Sequence, residues 1–441
     1  MENTVDKEAN QSPIPVGVDT TEPTHWYNIG ADLPEPIPPH LNPGTKEPIT
    51  EAELSGLFAT ELARQELSTE RFIEIPAEVR DVYSIWRATP LMRARRLEQH
   101  LGTNSRIYLK YEGVSPVGSH KPNSAVPQAY YNKLDGIKKL TTETGAGQWG
   151  ASLALGGAMF GLDVEIWQVR ASYESKPYRR YQMELYGGTC HSSPSELTEI
   201  GRQILAEHPD TTGSLGMAVS EAVEVAMTQP DTRYALGSVL NHVVLHQTVI
   251  GQEAIAQLHE AGEETADVVF GCAGGGSNLA GLSFPFLRHV LTEGAQTRVI
   301  AAEPAACPSL TRGEYRYDFG DFTGMTPLLK MYTLGQEFVP DPIHAGGLRY
   351  HGMAPALSHT VNLGLVEAVA IEQDHAFAAG ITLARTEGLV PAPESNHAIA
   401  AALDYLAGPG RDRSETIVIG VSGTGVLDLP SYQRFLPEAQ A

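Results

Sequence analysis

Residues 267–278 read DVVFGCAGGGSN, an apolar run that ends in three consecutive glycines. The apolar run is typical of a buried β-strand, and the glycines predict a turn into a helix that begins near Leu279. The same order of strand, loop and helix recurs along much of the chain. The other predicted strands cover 106–112, 137–142, 163–169, 297–303 and a run that starts at 416, and predicted helices cover 123–134, 148–160 and 175–188. This alternation is typical of βαβ units, so we predict an α/β fold of parallel sheets with helices on both faces.

Length and composition restrict the class of protein. With 441 residues, the chain is long enough for two domains or one large α/β unit. Its formal net charge of −22 makes a nucleic acid or an anionic membrane surface an improbable main partner. The three cysteines show no CxxC spacing, so we expect neither a disulfide framework nor a zinc site. Without a signal-peptide pattern or a membrane-spanning apolar run, we expect an unprocessed cytoplasmic protein.

The first 50 residues are distinguished by proline. They contain nine of the 30 prolines, which argues against helices and central strands and predicts an extended arm. Trp26 and Tyr27 in this arm either pack onto the body of the protein or belong to a mobile tail. A helix is expected after Thr50, because Thr50 and Glu53 have the spacing of a capping box and Leu54, Leu57, Phe58 and Leu62 fall on one helical face.

The glycine loop after the strand at 267 is the first candidate site. Consecutive glycines allow backbone N–H groups to converge on an anion, and a helix N-terminus favours negative charge. The predicted phosphate-binding residues are Gly274, Gly275, Gly276, Ser277 and Asn278. The loop lacks the lysine of a P-loop and the spacing of G-x-G-x-x-G, so a nucleoside triphosphate or dinucleotide is a poor match. The alternative is a tight turn that permits close helix packing.

A second loop, ETGAGQWG at 143–150, follows another predicted strand. Its backbone amides and the Thr144 hydroxyl suit a small carboxylate without a counter-cation. Glu143 is then placed to act as acid or base on the bound molecule. The alternative for Glu143 is a glutamate that simply favours the positive end of a helix dipole.

The stretch GSHKPNSA, at 118–125, places Lys121 between a predicted strand and a predicted helix. Burial disfavours the ammonium form of lysine, which lowers its pKa and leaves a neutral amine that can form a Schiff base. His120 beside it is suited to donate a hydrogen bond to a phosphate. The alternative for Lys121 is a surface lysine in a salt bridge.

Ser422, in VSGTG at 421–425, comes directly after a buried strand. The motif lacks the glycine two residues before the serine that a nucleophile elbow needs. We interpret Ser422 as a neutral hydrogen-bonding partner of a ring nitrogen, with a simple turn serine as the alternative. An imine-forming amine, a phosphate cradle, a carboxylate loop and this serine together describe a site for pyridoxal 5′-phosphate (PLP) and an amino acid.

Several sequence blocks carry a resemblance to a known family. The blocks YEGVSPVGSHKPNSA, ETGAGQWG, GCAGGGSN, EGLVPAPESNHA and VSGTGVLDL occur in this order, between about Trp86 and about Tyr432. They resemble tryptophan synthase β chains, specifically the divergent second-type branch, among the PLP enzymes related to cysteine synthase and threonine synthase. The long proline-rich arm and the stretches YEGVSP and AGGLRYHG resemble this branch more than the main one.

The resemblance implies PLP fold type II, with two α/β domains, parallel-rich twisted sheets flanked by helices, and PLP in the cleft between them. It divides the chain into an arm at 1–50, an N-terminal domain at 51–245 and a C-terminal domain at 246–441 that carries the phosphate loop. A mobile subdomain is expected at about 135–225. Part of 86–119 is expected to pack with the C-terminal domain.

The resemblance also implies roles for individual residues. Lys121 corresponds to the lysine that forms the Schiff base with PLP and moves the α-proton, and Glu143 to the glutamate that assists loss of the β-leaving group and positions indole. The implied phosphate ligands are His120 and the loop Gly274–Asn278, and the implied contacts to the cofactor ring are Glu394 and Ser422. The implied substrate-carboxylate loop is Thr144, Gly145, Ala146, Gly147, Gln148 and Trp149, with Trp149 where main-branch chains have histidine.

One position departs from the main branch. Arg349, in AGGLRYHG at 345–352, stands where the main branch has an aspartate that would hold the serine hydroxyl. A guanidinium there should prefer an anionic leaving group, which suggests O-phospho-L-serine as a donor. The alternative is that Arg349 pairs with an acidic neighbour such as Glu143 or Asp374.

The implied activity is PLP-dependent β-replacement, in which indole and L-serine or O-phospho-L-serine give L-tryptophan through an aminoacrylate intermediate. Two alternatives stay open: another PLP lyase on the same scaffold, such as a serine or threonine deaminase or a β-replacement enzyme with another nucleophile, and a non-catalytic chain that binds a partner. A homodimer is expected, with no nucleic-acid, membrane or metal-site role. A tryptophan synthase α subunit as partner and a monovalent cation as second cofactor stay open.

Overall fold

The computed structural model describes residues 22–436. Within this range the strands are β1 (His25–Tyr27), β2 (Phe72–Glu74), β3 (Leu91–Arg93), β4 (Arg106–Tyr111), β5 (Lys139–Thr144), β6 (Asp163–Val169), β7 (Thr189–Ser193), β8 (Thr232–Tyr234), β9 (Val268–Cys272), β10 (Arg298–Pro304), β11 (Glu314–Phe319), β12 (Leu328–Thr333), β13 (Glu367–Ile371) and β14 (Thr416–Val421).

The α-helices of the same range are α1 (Glu51–Leu54), α2 (Thr60–Glu66), α3 (Ala77–Tyr83), α4 (Arg95–Leu101), α5 (Pro122–Leu134), α6 (Gln148–Phe160), α7 (Arg170–Ser175), α8 (Pro177–Leu185), α9 (Glu199–Glu207), α10 (Leu215–Thr228), α11 (Asn241–Gln247), α12 (Val249–Glu260), α13 (Ser277–Glu293), α14 (Ser309–Arg312), α15 (Pro355–Asn362), α16 (Gln373–Glu387), α17 (Ser395–Ala407) and α18 (Leu429–Gln433). None of them is long and apolar enough to cross a membrane.

Two parallel-rich sheets form the framework. The larger has the strand order β13-β10-β9-β14-β4-β3, parallel except for the antiparallel pair of β3 and β4. The smaller has the order β7-β6-β5-β8 and is parallel throughout. In the larger sheet, β9 and β14 are buried along their whole length, as expected when helices cover both faces of a sheet. The predicted α/β fold with parallel sheets is therefore confirmed.

Most predicted elements lie within two residues of the observed ones. The predicted strand at 137–142 is displaced to Lys139–Thr144, because the parallel ladder with β6 continues until Thr144 pairs with Gln168. The single helix predicted at 175–188 is wrong at its start. The chain breaks at Lys176 between α7 and α8, since Pro177 lacks the N–H that a continuous helix would need.

The arm packs onto the body of the protein in its described part. Trp26 and Tyr27 are buried, and β1 pairs antiparallel with β2. The expectation that the two aromatic residues pack is confirmed, and the mobile-tail alternative is wrong for them. The rest of the predicted arm, residues 1–21, lies outside the described residues.

The capping box at Thr50 is confirmed, because the Thr50 side chain accepts from the Glu53 amide and Glu53 accepts from the Thr50 amide. The expected continuous helix through Leu62 is wrong. The helix ends at Leu54, and α2 starts at Thr60 after a turn. Leu54 in α1, Phe58 in the turn and Leu62 in α2 are nevertheless all buried.

The predicted domain boundaries, at 50 and 245, stay a prediction. The strands do mix across them: β3 and β4, from the first half of the chain, belong to the larger sheet beside β14.

A buried ion cluster connects the larger sheet to the helix that follows Lys121. The Arg87 guanidinium donates to both Glu253 carboxylate oxygens, at 2.6 and 2.7 Å, and the Lys110 ammonium donates to Glu253 at 2.8 Å. Arg87 also donates to Glu112 at 3.2 Å and to the Asn123 amide oxygen at 2.7 Å. Asn123 belongs to the first turn of α5, so this cluster holds the start of that helix against the sheet.

Replacing Glu253 by alanine should leave two buried cations without their shared anion. We expect the free energy of unfolding, measured by chemical denaturation, to fall by about 3–5 kcal/mol. Glu61→Ala is a matched control, because it breaks an ion pair with the largely exposed Arg64 and should cost at most about 1 kcal/mol. Equal losses in the two variants would contradict the structural role of the cluster.

Candidate active site

A cavity lies at the C-terminal ends of the strands of the larger sheet, the edge where ligands bind in open parallel sheets. β9 leads directly into its glycine loop, and β14 leads into Ser422. The cavity has an empty volume of about 510 Å³. It is lined by Ser119, His120, Lys121, Gln148, Ser238, Cys272, Gly274, Gly275, Gly276, Ser277, Asn278, Gly347, Leu348, Ala392, Glu394, Ser422 and Gly423. All of the residues predicted to bind the cofactor therefore line one cavity.

Lys121 stands at the start of α5 with its amine inside this cavity. The side chain is partly buried, and its Nζ donates to the carbonyl of Gly237 at 2.5 Å. Desolvation lowers the pKa of Lys121 to about 8, although the nearby Glu143 carboxylate opposes the change. An amine with this pKa has a much larger neutral fraction at pH 7 than an ordinary lysine, as a Schiff-base lysine requires.

His120 is buried beside Lys121. Its Nδ1 lies 3.2 Å from the carbonyl oxygen of Ser422, and its Nε2 is buried without a hydrogen-bond partner. Burial, together with the charge of Lys121, lowers the pKa of His120 to about 3, so the ring is neutral. Because Nδ1 lies beside a carbonyl oxygen, which can only accept, the single proton of the neutral ring is on Nδ1 and Nε2 is an acceptor. An anion next to Nε2 would raise this pKa and favour the doubly protonated ring, which donates from Nε2.

The glycine loop forms a cradle that side chains cannot enter. A Cβ atom on Gly275 would lie 2.2 Å from the Ser238 hydroxyl oxygen. Gly276 adopts a φ of +94° and precedes α13, whose first amides receive no side-chain cap. The Oδ1 of Asn278 is buried without a partner. These uncapped amides and the small cross-section fit the phosphate of PLP, so the residues present suit the cofactor.

The ring end of the cavity is polar but uncharged around Ser422. The Ser422 hydroxyl lies 2.8 Å from the Ser395 hydroxyl and 3.5 Å from the Cys272 sulfur. Burial raises the pKa of the Cys272 thiol to about 11, so it stays protonated. Glu394 accepts from the Gly347 backbone amide at 2.9 Å and from the side-chain amide of Gln148 at 3.4 Å. Sequence reasoning missed Ser395 and Cys272, although each lies next to a residue or motif that it had chosen.

The predicted carboxylate loop lies where β5 of the smaller sheet turns into α6. Gly145 approaches the chain at Gly346 so closely that a Cβ atom would lie 2.8 Å from its carbonyl oxygen, and Gln148 lines the cavity. Thr144 instead accepts from the Gly150 amide at 3.1 Å. The Trp149 indole N–H donates to the Thr142 hydroxyl at 2.6 Å, and Trp149 does not line the cavity.

Glu143 lies in β5, one residue before its end, and is almost fully buried. The Tyr234 hydroxyl donates to its Oε2 at 2.5 Å. Desolvation raises the pKa of Glu143 to about 7, against the lowering effect of that hydrogen bond and of the Lys121 charge. A carboxyl group with this pKa populates both protonation states at neutral pH, which suits an acid or base.

A second, mostly apolar cavity lies on the Tyr234 side of Glu143, with an empty volume of about 380 Å³. It is lined by Leu57, Phe58, Val219, Tyr234, Leu236, Val239, Leu240, Gly320, Thr326, Pro327, Leu329 and Tyr350. Glu143 therefore interacts with one residue of each cavity, through the charge of Lys121 and the hydroxyl of Tyr234.

Arg349 is 6% exposed and does not line the first cavity. Its Nη2 donates to the carbonyl of Pro340 at 2.7 Å, and its Nε is buried without a partner. The acid whose charge it feels is Asp341. The expected pairing with Glu143 or Asp374 is not among the ion pairs of residues 22–436. Arg349 directly follows Gly347 and Leu348, which do line the cavity.

A buried ion pair joins α8 and the segment before it to the chain after β14. The Lys176 ammonium donates to Asp428 Oδ1 at 2.7 Å and to the His344 carbonyl at 3.0 Å. Arg179 Nη2 lies 3.8 Å from Asp428 Oδ2, and Arg179 packs over Gly147 of the carboxylate loop. The pair thus connects the loop that holds Gly147 to the strand end that holds Ser422.

Comparisons with known proteins agree with this site. The family model described as "Pyridoxal-phosphate dependent enzyme" matches residues 82–423. Among curated relatives, "Tryptophan synthase beta chain 2" of Thermotoga maritima is 56% identical and aligns over 93% of this chain and 97% of its own length. The proteins of the same name from Methanosarcina mazei and Thermococcus kodakarensis are each 55% identical, over 94% and 95% of this chain and 93% and 95% of their own.

Among solved structures, a fungal L-serine ammonia-lyase from Rhizomucor miehei matches with a TM-score of 0.58 at 16% identity. The match covers 79% of this chain and 98% of that one, and it shows a shared fold. By the family model and by its relatives, this chain belongs to the pyridoxal-phosphate dependent enzymes, in the tryptophan synthase β chain family.

Proposed function

We propose that this protein makes L-tryptophan by β-replacement, with indole as the nucleophile and a serine-type amino acid as the donor. The observation that carries the proposal is the pairing of a desolvated Lys121 amine with a buried Glu143 carboxyl beside the glycine cradle. The relatives named tryptophan synthase beta chain 2 support the same reaction.

Lys121, the cradle and Ser422 are the residues that would hold the cofactor. When bound, PLP withdraws electrons from the α-carbon of an amino acid and so makes both its α-proton and its β-substituent labile. The Ser422 hydroxyl is neutral, and unlike a carboxylate it does not hold a pyridine nitrogen protonated. This setting favours loss of the β-substituent over transamination.

Lys121 and Glu143 divide the proton transfers between them. The neutral Lys121 amine would take the proton from the α-carbon of the donor, because its lowered pKa leaves it partly neutral, and would return a proton to that carbon after indole has added. Protonated Glu143 donates to the departing β-substituent. Its ionised form then accepts a hydrogen bond from the indole N–H while the new carbon–carbon bond forms, and it takes the proton that the bonding ring carbon loses, so Glu143 is protonated again for the next turnover. The apolar cavity behind Tyr234 offers a water-poor space for an aromatic nucleophile such as indole.

The donor can be L-serine or O-phospho-L-serine, and Arg349 argues for the second. A buried guanidinium with a free Nε, placed two residues after the cavity wall at Gly347, is suited to a departing phosphate. The assembly we propose is a cytoplasmic homodimer. An α subunit that supplies indole and a monovalent cation are compatible additions.

The deaminase alternative shares the fold but makes a different product. The serine ammonia-lyase match, at 16% identity, concerns the fold alone. A silent, partner-binding chain would not need both Lys121 and Glu143 at the cavities. Incubation with donor and indole separates the three activities, because a deaminase gives pyruvate and ammonia without tryptophan and a silent chain gives neither.

Replacing Lys121 by alanine should lower tryptophan formation at least about a hundredfold, because the amine that moves the α-proton is lost. The visible absorbance of the lysine-bound cofactor should disappear as well. Lys133→Ala, at the exposed end of the same helix, is the control and should keep both signals. Tryptophan formation at the parental rate by Lys121→Ala would refute the proposed function.

Replacing Arg349 by alanine should reduce the preference for phosphoserine. Losing one charge-assisted hydrogen bond should lower kcat/KM for phosphoserine relative to serine by about tenfold or more. Arg312→Ala removes the same charge from the exposed surface and should leave the ratio unchanged. An unaltered ratio in Arg349→Ala would rule out its part in donor choice.

Replacing Asp428 by asparagine tests whether the Lys176 ion pair keeps the site closed. We expect the donor that has lost its β-substituent to escape before indole adds and to hydrolyse to pyruvate and ammonia. The ratio of pyruvate to tryptophan should therefore rise by about tenfold. Asp412→Asn, an exposed aspartate in the same part of the chain, should not change the ratio. If both variants partition products like the parent, Asp428 has no role in closure.

A further inference from the structure

The hydrogen bonds to Glu143 are asymmetric. The side-chain hydroxyls that reach its carboxylate in the described part of the chain both contact Oε2: Tyr234 at 2.5 Å and Thr142 at 3.5 Å. The Thr142 hydroxyl is mainly engaged elsewhere, with the Ala235 carbonyl at 2.5 Å and the Trp149 indole at 2.6 Å. Tyr234 is therefore the principal side-chain partner of Glu143, and no side-chain hydroxyl of the described residues reaches Oε1.

The register of the smaller sheet makes this contact specific. β8 pairs in parallel with β5 so that Tyr234 lies opposite Thr141. Glu143 is two residues further along β5 and so projects from the same face as Thr141. A diagonal neighbour in a sheet lies at a distance that only a long side chain can bridge. The tyrosine ring provides that length and carries its hydroxyl to the carboxylate.

Tyr234 is held in place by its neighbours, and its hydroxyl donates to Glu143. Its ring packs against Phe58, with ring centroids 5.9 Å apart, and its amide donates to the Leu57 carbonyl at 3.1 Å. Burial and the neighbouring Glu143 carboxylate raise the pKa of Tyr234 well above its ordinary value, so the phenol keeps its proton. The hydroxyl therefore stabilises the ionised form of Glu143 and restrains its rotation.

We propose that Tyr234 is the positioning residue of Glu143, which clamps Oε2 and so presents Oε1 to the leaving group and to indole. This inference rests on the proposed function, in which Glu143 is the acid and base. No sequence motif pointed to Tyr234, because the contact arises between strands that are far apart in the chain.

The test is Tyr234→Phe, which keeps the ring and removes the hydroxyl. Without this donor the ionised carboxylate is less stable, so the pKa of Glu143 should rise above about 7. The acid limb of the pH profile of kcat/KM for indole should move up by about one pH unit, and the value at pH 7 should fall about fivefold. Tyr405→Phe is the matched control, since Tyr405 donates to Glu415 at 2.7 Å in a pair unrelated to the cavities.

A readout without turnover keeps this inference separate from the proposed function. Infrared titration of the protein without cofactor, with the Glu143 carboxyl band assigned by its loss in Glu143→Gln, should give a higher midpoint in Tyr234→Phe than in the parent. Unchanged midpoints and an unchanged acid limb would overturn the role of Tyr234. Full tryptophan synthesis by Glu143→Gln would instead overturn the role proposed for Glu143 in the reaction.

Discussion

Removal of the Lys121 amine from bulk water is the constraint on which the site depends. Desolvation disfavours the charged form of the amine, and its pKa falls to about 8. The ion cluster of Arg87 and Glu253 supports its position, because Arg87 also donates to Asn123 in the first turn of α5. The buried Arg87–Glu253 cluster thus anchors the start of α5, the helix that Lys121 precedes.

The protonation states around Lys121 follow from burial more than from direct pairing. The pKa of His120 falls to about 3, and that of Glu143 rises to about 7. Desolvation is the largest cause for all three groups, and it pushes acids and bases toward their neutral forms. A bound phosphate would bring the missing negative charge. The cavity is therefore suited to bind an anionic cofactor such as PLP.

The site needs both sheets. The larger sheet contributes the glycine cradle and Ser422, whereas Glu143 and Tyr234 come from the smaller sheet. The carbonyl that accepts from the Lys121 amine belongs to Gly237, just after β8. The ion pair of Lys176 with Asp428 fastens the two parts near the carboxylate loop. Relative movement of the sheets would therefore alter acid–base geometry and water access together.

Local sequence was sufficient to predict the alternation of strands and helices, because strand periodicity and glycine runs act over a few residues. It also selected the glycine loop and Lys121, which the structure places in one cavity. It misjudged the helix after Thr50, where the chain turns at Leu54. It did not find Tyr234 or Asp428, and it left the partner of Arg349 open. Those features depend on strand register and on contacts between residues distant in the chain. Such contacts form only when the packed sheets bring the side chains together.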